Sequence, residues 1–300
     1  MKRLALKGFV LVLPLLLWMG LVYLIDPFAL FGSGLLGITA QAREQTVSRS
    51  NTSMCRDWAL YKTVQFQRRP MPRVLFGDSR AFSLTQDLPA DYQSAEVFNF
   101  GIPGANVTSI ADAFWFASSR QKLERVCLQV SFHNSSPGSI IKAPLAILNS
   151  PLLYFFDGNV MLATLDCAKR RCHAWLKGSA LPTAKDAAYA ELFRGVSDLL
   201  VYRSNDEKHF ETLRKVAEYC VSNQIEFCFL NMPMDPAVHR LIREKKLEGA
   251  YQQFKERLAG LGPLMDFDKE NLPQTAFQDP LHLKREYYLP IAEAVIKNGQ

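Results

Sequence analysis

The sequence predicts a three-layer α/β sandwich with a central parallel sheet, preceded by a single N-terminal transmembrane helix. Three observations lead there. An uncharged apolar run, Gly8–Ile25, follows the basic residues Lys2, Arg3 and Lys7. Beyond it, short apolar stretches that stop abruptly at glycine or polar residues alternate with segments of helical spacing, the rhythm of a parallel sheet covered on both faces. No internal repeat or long Gly/Ser-rich linker divides the 300 residues.

The apolar run is close to the ~20 residues that a bilayer-spanning helix needs, and a basic flank is the end that stays in the cytoplasm. A cleaved signal peptide is the rival reading, but its apolar region is usually only ~7–15 residues long. The nearest small-x-small pair, Ala40 and Ala42, also lies too far downstream to mark a cleavage site. Residues 1–25 are therefore read as basic flank and single-pass membrane anchor, with everything after Asp26 across the membrane from the cytoplasm. Asp26-Pro27-Phe28 and the glycines up to Gly37 read as the membrane exit and a loop. Gly32-x-Gly34-x-x-Gly37, with Asp57 twenty residues beyond, matches a dinucleotide fingerprint. It follows an apolar helix instead of a strand, so it lacks the βαβ context in which such glycines cradle a pyrophosphate.

Residues 26–69 form a connector, partly helical from about Arg43 to Gln67. The first strand is Arg73–Phe76, ending in Gly77-Asp78-Ser79, and the second is Val97–Phe100, ending in Gly101-Ile102-Pro103-Gly104. A helix from about Ser109 to Arg120 leads to the third strand, Val126–Phe132. The stretch 135–205 breaks the rhythm with Tyr154-Phe155-Phe156, Cys167, Cys172, His173 and Trp175, and reads as a cap-like insertion in an α/β domain spanning 70–300. Alternation then resumes. A helix over Glu207–Asn223 carries Phe210, Leu213, Val216, Ala217, Cys220 and Val221 at helical spacing. Strand Ile225–Leu230, a long charged helix over Pro236–Leu261, strand Leu264–Phe267 and a last helix from about Lys284 to Lys297 complete the order.

Composition narrows the function classes. Nearly half of the residues are apolar and charges are interspersed, so a sizeable core can form. Lys2, Arg3 and Lys7 supply half of the net charge of +6; without a Lys/Arg stripe interleaved with aromatics, the remainder is no nucleic-acid footprint. Six cysteines suit an oxidising compartment without demanding a disulfide scaffold. Cys167 and Cys172 lie close enough in sequence to close a small loop, whereas Cys127, Cys220 and Cys228 fall on apolar strands or a helix and read as buried thiols. Cys167, Cys172 and His173 lack the second ligand pair of a structural zinc site, and no metal or cofactor is expected.

Loops at strand C-termini converge on one edge of such a sheet, where open α/β folds place their sites. Ser79 sits on the first of these loops. A serine hydroxyl is a poor nucleophile until a base takes its proton, and the base needs a third group to fix its tautomer. Asp279-Pro280-Leu281-His282 supplies both just before the last helix. Each piece alone has a plainer reading: Gly-Asp-Ser is common turn material, Asp279 can cap a helix, and His282 can be a surface histidine. Arg80 is a substrate or carboxylate clamp, or a solvated or paired arginine. His133 is a second site residue, or a histidine satisfied at a strand end. His173, His209 and His239 have no motif context and read as surface groups.

Together, Gly77-Asp78-Ser79, the loop Asn99-Phe100-Gly101-Ile102-Pro103-Gly104, and Asp279-x-x-His282 resemble the SGNH (GDSL-type) hydrolase superfamily in order and rough spacing, over about residues 70–300. The anchor followed by Asp-Pro-Phe is similar to its bacterial membrane-anchored branch, whose members take part in O-acetylation of exopolysaccharides and D-alanylation of teichoic acids. The resemblance implies Ser79 as nucleophile, His282 as general base and Asp279 as its partner. It also implies an oxyanion hole made of the Ser79 and Gly104 N–H groups and an asparagine. Where the family has Gly-x-Asn-Asp, this chain reads Ser131-Phe132-His133-Asn134, which makes Asn134 the candidate, offset by one position.

The expectation is thus a serine esterase or O-acyltransferase acting on acyl, chiefly acetyl, esters of a cell-envelope polysaccharide. A multi-pass membrane acyltransferase is the implied partner if transfer is the reaction. The departure at 131–134 motivates the alternative of a catalytically inactive scaffold or binding protein in polysaccharide assembly.

Overall fold

The computed structural model describes residues 2–32, 54–86, 97–133, 138–177, 195–196, 198, 200, 206–268 and 272–297. The chain divides into two compact units, one of residues 1–65 with 141–185 and the other of residues 66–140 with 186–300.

The second unit is built on five strands: β1 (Arg73–Gly77), β2 (Val97–Gly101), β3 (Arg125–Gln129), β4 (Glu226–Asn231) and β5 (Leu264–Asp266). They are all parallel, in the order β2-β1-β3-β4-β5. Register places Leu75 beside Cys127 and Cys127 beside Cys228, and alternate residues face opposite sides of the sheet. One side buries Leu75, Cys127 and Leu230 with Ala81 and Leu84 of α3 (Ser79–Gln86) and Tyr288, Ile291 and Val295 of α11 (Arg285–Lys297). The other side is rich in aromatic residues. Phe76 of β1 stacks on Phe100 of β2 and meets Phe114 of α4 (Val107–Arg120) edge-on, and Phe114 meets Tyr219 of α8 (Asp206–Ser222). Helices thus cover both faces, and the three-layer α/β expectation holds for this unit.

Several expected boundaries shift. The third strand ends at Gln129, short of Phe132, because Ser131–His133 turn away into a buried polar cluster described below. The helix expected over Pro236–Leu261 is two helices, α9 (Pro236–Glu244) and α10 (Glu248–Leu261). Lys246 breaks it with a φ of 55°, a left-handed conformation that a residue with a Cβ seldom adopts and that no Gly or Pro announces. Helix α4 starts at Val107, two residues earlier than expected, because Asn106 caps it by accepting from the Ser109 amide at 2.8 Å.

The first unit contains α1 (Lys2–Ile25), the first part of α2 (Met54–Arg68), α5 (Lys142–Asn149), α6 (Pro151–Phe156) and α7 (Gly158–Lys177). Among the described residues no helix is long and apolar enough to cross a membrane; the side chains of residues 2–9 and 11, part of the expected anchor, lie outside them. The Asp26 turn is specific. Its buried carboxylate accepts from the amides of Leu30, Phe31 and Gly32 at 2.8–3.0 Å and from the Tyr154 hydroxyl of α6 at 2.9 Å. The Gly32–Gly37 stretch lies outside the described residues beyond Gly32.

Much of the stretch expected as a cap over 135–205 is helical, and 141–185 groups with residues 1–65. Cys167 and Cys172 both lie on α7. Cys167 is buried, and the Cys172 side chain, the other half of the expected small loop, lies outside the described residues. Cys127, Cys220 and Cys228 are free thiols, with Cys228 half-buried.

Candidate active site

The chain runs from β1 to β2 on one side and then crosses back over β1 to β3 on the other, so the C-terminal ends of β1 and β3 border the crevice where open α/β sheets bind ligands. Ser79 emerges there as the first residue of α3. Asp78 caps that helix, its carboxylate accepting from the Arg80 amide at 2.8 Å, and its own amide donates to Gln129 Oε1 of β3 at 2.8 Å. From β2, Asn99 Nδ2 donates to the Ala81 and Phe82 carbonyls at 2.8 and 3.2 Å. A Cβ at Gly101 would lie 2.3 Å from the Phe82 amide nitrogen, so glycine there lets α3 approach the strand closely.

The far end of the chain meets this helix. Ser79 Oγ lies 2.8 Å from His282 Nε2, and His282 Nδ1 lies 2.8 and 2.9 Å from the two oxygens of Asp279. With Nδ1–H donating to Asp279, Nε2 is left as the acceptor that the serine hydroxyl requires. The loop carrying both residues is pinned: Phe277 and Leu283 form a bridge, and Gln278 N–H donates to the His282 carbonyl at 2.9 Å. Asp279 also accepts from the Leu281 and His282 amides at 2.9 Å, so it orders its own loop and does not cap α11. Burial would raise the Asp279 pKa, but the His282 hydrogen bond and charge, with these two amides, hold it below the ordinary carboxylate range.

A scan of protein-family models finds no match, and neither does a comparison with curated proteins. The chemistry of the site therefore has to be argued from its geometry.

Beneath Ser79 lies a polar cluster that the motif reading missed. The Ser131 hydroxyl donates to the Asp78 carboxylate while accepting from the Arg80 guanidinium and, at 2.8 Å, from Gln129 Nε2. Arg80 is only 1% exposed and its Nη1 reaches the Met232 carbonyl at 3.5 Å. Of the two readings of Arg80 the geometry matches the paired arginine and not the substrate clamp: its charge is turned inward, beside Asp78. Burial would raise the Asp78 pKa, but the charges of Arg80 and His133 and the Ser131 and Arg80 hydrogen bonds outweigh it and hold Asp78 below its ordinary range. His133 is 3% exposed. Burial, the Arg80 charge and that of His282, opposed by Asp78, depress its pKa to about 3, so the ring is neutral under ordinary conditions. Its Nδ1 is buried and has no hydrogen-bond partner among the described residues.

Of the expected oxyanion donors, the Ser79 amide stands at the first turn of α3, where helix N–H groups lack intrahelical acceptors. Gly104 is the third residue of a turn closed by Ala105 N–H donating to the Ile102 carbonyl at 3.0 Å, with φ of 73° and Pro103 before it, a type II signature. Asn134 lies outside the described residues. Among the other histidines, His209 is buried and not a surface group, His239 is half-buried and bonded to Asp268 at 3.1 Å, and the His173 side chain lies outside the described residues. No cluster suited to a metal ion occurs among the described residues. The polar signal that sequence offered for the buried cluster was faint: Gln129 and Ser131 sit in an otherwise apolar strand end, and such residues need partners when buried.

Proposed function

We propose that the chain is a membrane-anchored, extracytoplasmic serine esterase or O-acyltransferase of the SGNH type, acting on acyl esters of a cell-envelope polysaccharide. The observation that carries the catalytic part is the continuous Ser79–His282–Asp279 hydrogen-bond chain. Ser79 Oγ attacks the ester carbonyl as its proton passes to His282 Nε2, and Asp279 stabilises the imidazolium. The protonated His282 then donates to the departing alcohol, leaving an acyl-serine. Water or a sugar hydroxyl, deprotonated by His282, resolves it. The oxyanion rests on the Ser79 and Gly104 amides. The third donor is Asn134 or the neutral His133, and each such donor supplies about 2.7–4 kcal/mol of transition-state stabilisation.

The membrane part of the reading rests on the sequence: α1 spans Lys2–Ile25, includes the uncharged Gly8–Ile25 run, and places its basic residues at one end. If the reaction is transfer, a multi-pass acyltransferase would deliver the acyl group, because activated donors are cytoplasmic.

The test is labelling of the detergent-solubilised full chain with a fluorophosphonate probe, which reacts only with an activated serine. Labelling of the wild type that is lost in Ser79→Ala and His282→Ala supports the reading. A folded wild type that does not label removes it and favours a scaffold that uses the cleft to hold a glycan. The sequence observation behind that second reading is the departure at residues 131–134, Ser131-Phe132-His133-Asn134 where the family has Gly-x-Asn-Asp.

A further inference from the structure

We propose that α6 and α7 form a second membrane-inserted element, seated beside the exit of α1 with their outer face in the acyl-chain region of the bilayer. The proposal rests on α1 being the anchor, and extends membrane contact to a segment that neither its length nor its sequence marks as a span.

The docking of this segment on α1 is specific. Trp18 Nε1 donates to the Phe155 carbonyl at 2.9 Å, the buried Asp26 carboxylate accepts from the Tyr154 hydroxyl, and that hydroxyl accepts from the Phe28 amide at 3.1 Å. Phe31 stacks on Phe155 with ring centroids 5.3 Å apart and meets Tyr154 edge-on. These contacts fall at the C-terminal end of α1, the end opposite Lys2, Arg3 and Lys7. Aromatic rings with a polar handle are what membrane interfaces collect.

Helix α7 then presents a contradiction for a helix in water. Val160, Ala163, Thr164 and Cys167 recur at helical spacing and are buried, which is its inner face. A water-exposed helix should be polar on the opposite face. Instead Met161, Leu162 and Leu165 stand there, Leu162 and Leu165 being 55% and 51% exposed. The neighbouring α6 adds Leu152, Leu153 and Phe156, with Leu152 63% exposed. Further along, Asp166 and Lys169 join this outer face, so the apolar patch is confined to the first two turns of α7; exposed patches of this kind mark contact with something other than water.

Lipid is favoured over a protein partner on two grounds. The patch belongs to the same compact unit as six consecutive exposed residues of α1, Val12, Leu13, Pro14, Leu15, Leu16 and Leu17. At about 3.6 residues per turn these surround the helix, whereas a docked protein covers one stripe. Charge agrees: beyond Leu165 the sequence of the same helix runs Asp166-Cys167-Ala168-Lys169-Arg170-Arg171, a net basic stretch that suits anionic headgroup phosphates at the edge of the apolar zone.

The test uses the full chain in phosphatidylethanolamine–phosphatidylglycerol vesicles, with a benzophenone amino acid replacing one exposed residue at a time: Leu16 on α1, Leu162 or Leu165 on α7, and Val221 on α8. None of these side chains is buried, so the substitutions leave the packing intact. Phospholipid adducts at Leu162 and Leu165 in yields comparable with Leu16, and none at Val221, are expected. Adducts at Leu16 alone would overturn the proposal while leaving the anchor in place. Cross-linking of Leu162 to another protein in native membranes, without lipid adducts, would also overturn it. Loss of adducts at Leu16 as well would remove the anchor reading, and this proposal with it.

Discussion

Asp78 and Arg80 meet twice beneath Ser79: the Arg80 amide donates to Asp78 Oδ1 at 2.8 Å, and the guanidinium Nε lies 3.6 Å from the same oxygen. One carboxylate therefore caps the helix that begins at Ser79 and neutralises a charge buried below it. Both side chains are almost wholly out of water, where removing one member of an ion pair strands the other. Asp78→Asn should lower the stability of the sheet unit by about 3–5 kcal/mol, read as a shift in its urea denaturation midpoint. A shift of a surface-pair size would show that Arg80 is neutralised elsewhere.

Asp279 is expected to matter through His282. Its two oxygens hold Nδ1–H and leave Nε2 facing Ser79. Asp279→Asn preserves the loop's shape but can present an N–H to Nδ1, which selects the wrong tautomer; the corresponding change in a serine protease costs about 10⁴-fold in kcat. Fluorophosphonate labelling should slow by orders of magnitude in Asp279→Asn with little change in folding. Labelling at the wild-type rate would make Asp279 a loop-ordering residue only.

The third oxyanion donor can be assigned by substitution. His133→Phe removes the ring nitrogens while keeping a planar group, and His133→Asn restores a donor. If His133 serves the oxyanion, the phenylalanine variant should lose about 10²–10³ in rate and the asparagine variant should recover part of it. Equal, small effects in both would assign the role to Asn134. The assay is ester hydrolysis, with fluorophosphonate labelling to count active serines.

Much of this could be read along the chain, because parallel strands buried on both faces are short apolar runs and their C-terminal ends carry the chemistry. Ser79, Asp279 and His282 were legible because each sits where an element starts or stops, at spacing that a motif records. The break at Lys246 was not, since no Gly or Pro marks it and a lysine seldom adopts its left-handed conformation. The partner that Arg80 finds in Ser131 was not legible, because that residue lies 51 positions away and only the fold brings it under the helix. The role of 141–177 was hidden for the same reason: the hydrogen bond from Tyr154 to Asp26 spans 128 residues.

Gly101 sets how closely α3, the helix that begins at Ser79, can lie on β2. A methyl group there would stand 2.3 Å from the Phe82 nitrogen and 2.7 Å from its Cα, and backbone cannot rotate aside as a flexible side chain can. Gly101→Ala should cost about 1–3 kcal/mol, the usual penalty for overpacking. It should also slow labelling, because α3 must move and Ser79 moves with it. Unchanged stability and labelling would mean that the strand end yields instead.

Acid should destabilise the sheet unit in two windows, with the same sign in each. His133 has a folded pKa of about 3 against an ordinary 6.5. Between those values the unfolded chain takes up a proton that the folded chain refuses, so stability falls as pH drops from about 6.5 towards 3, by at most about 1.4 kcal/mol per pH unit. Asp78 and Asp279 are both held below 3.8. Their contribution is fully present above that value and is lost as pH falls through their lower folded values. Urea midpoints measured from pH 7 to pH 4 should therefore decline in the wild type before either carboxylate titrates. His133→Asn should flatten that upper window and leave the acid limb below pH 4 in place. If the slope between pH 6.5 and pH 4 is the same in both proteins, His133 accepts its proton in the folded state and the buried, neutral ring is the wrong description.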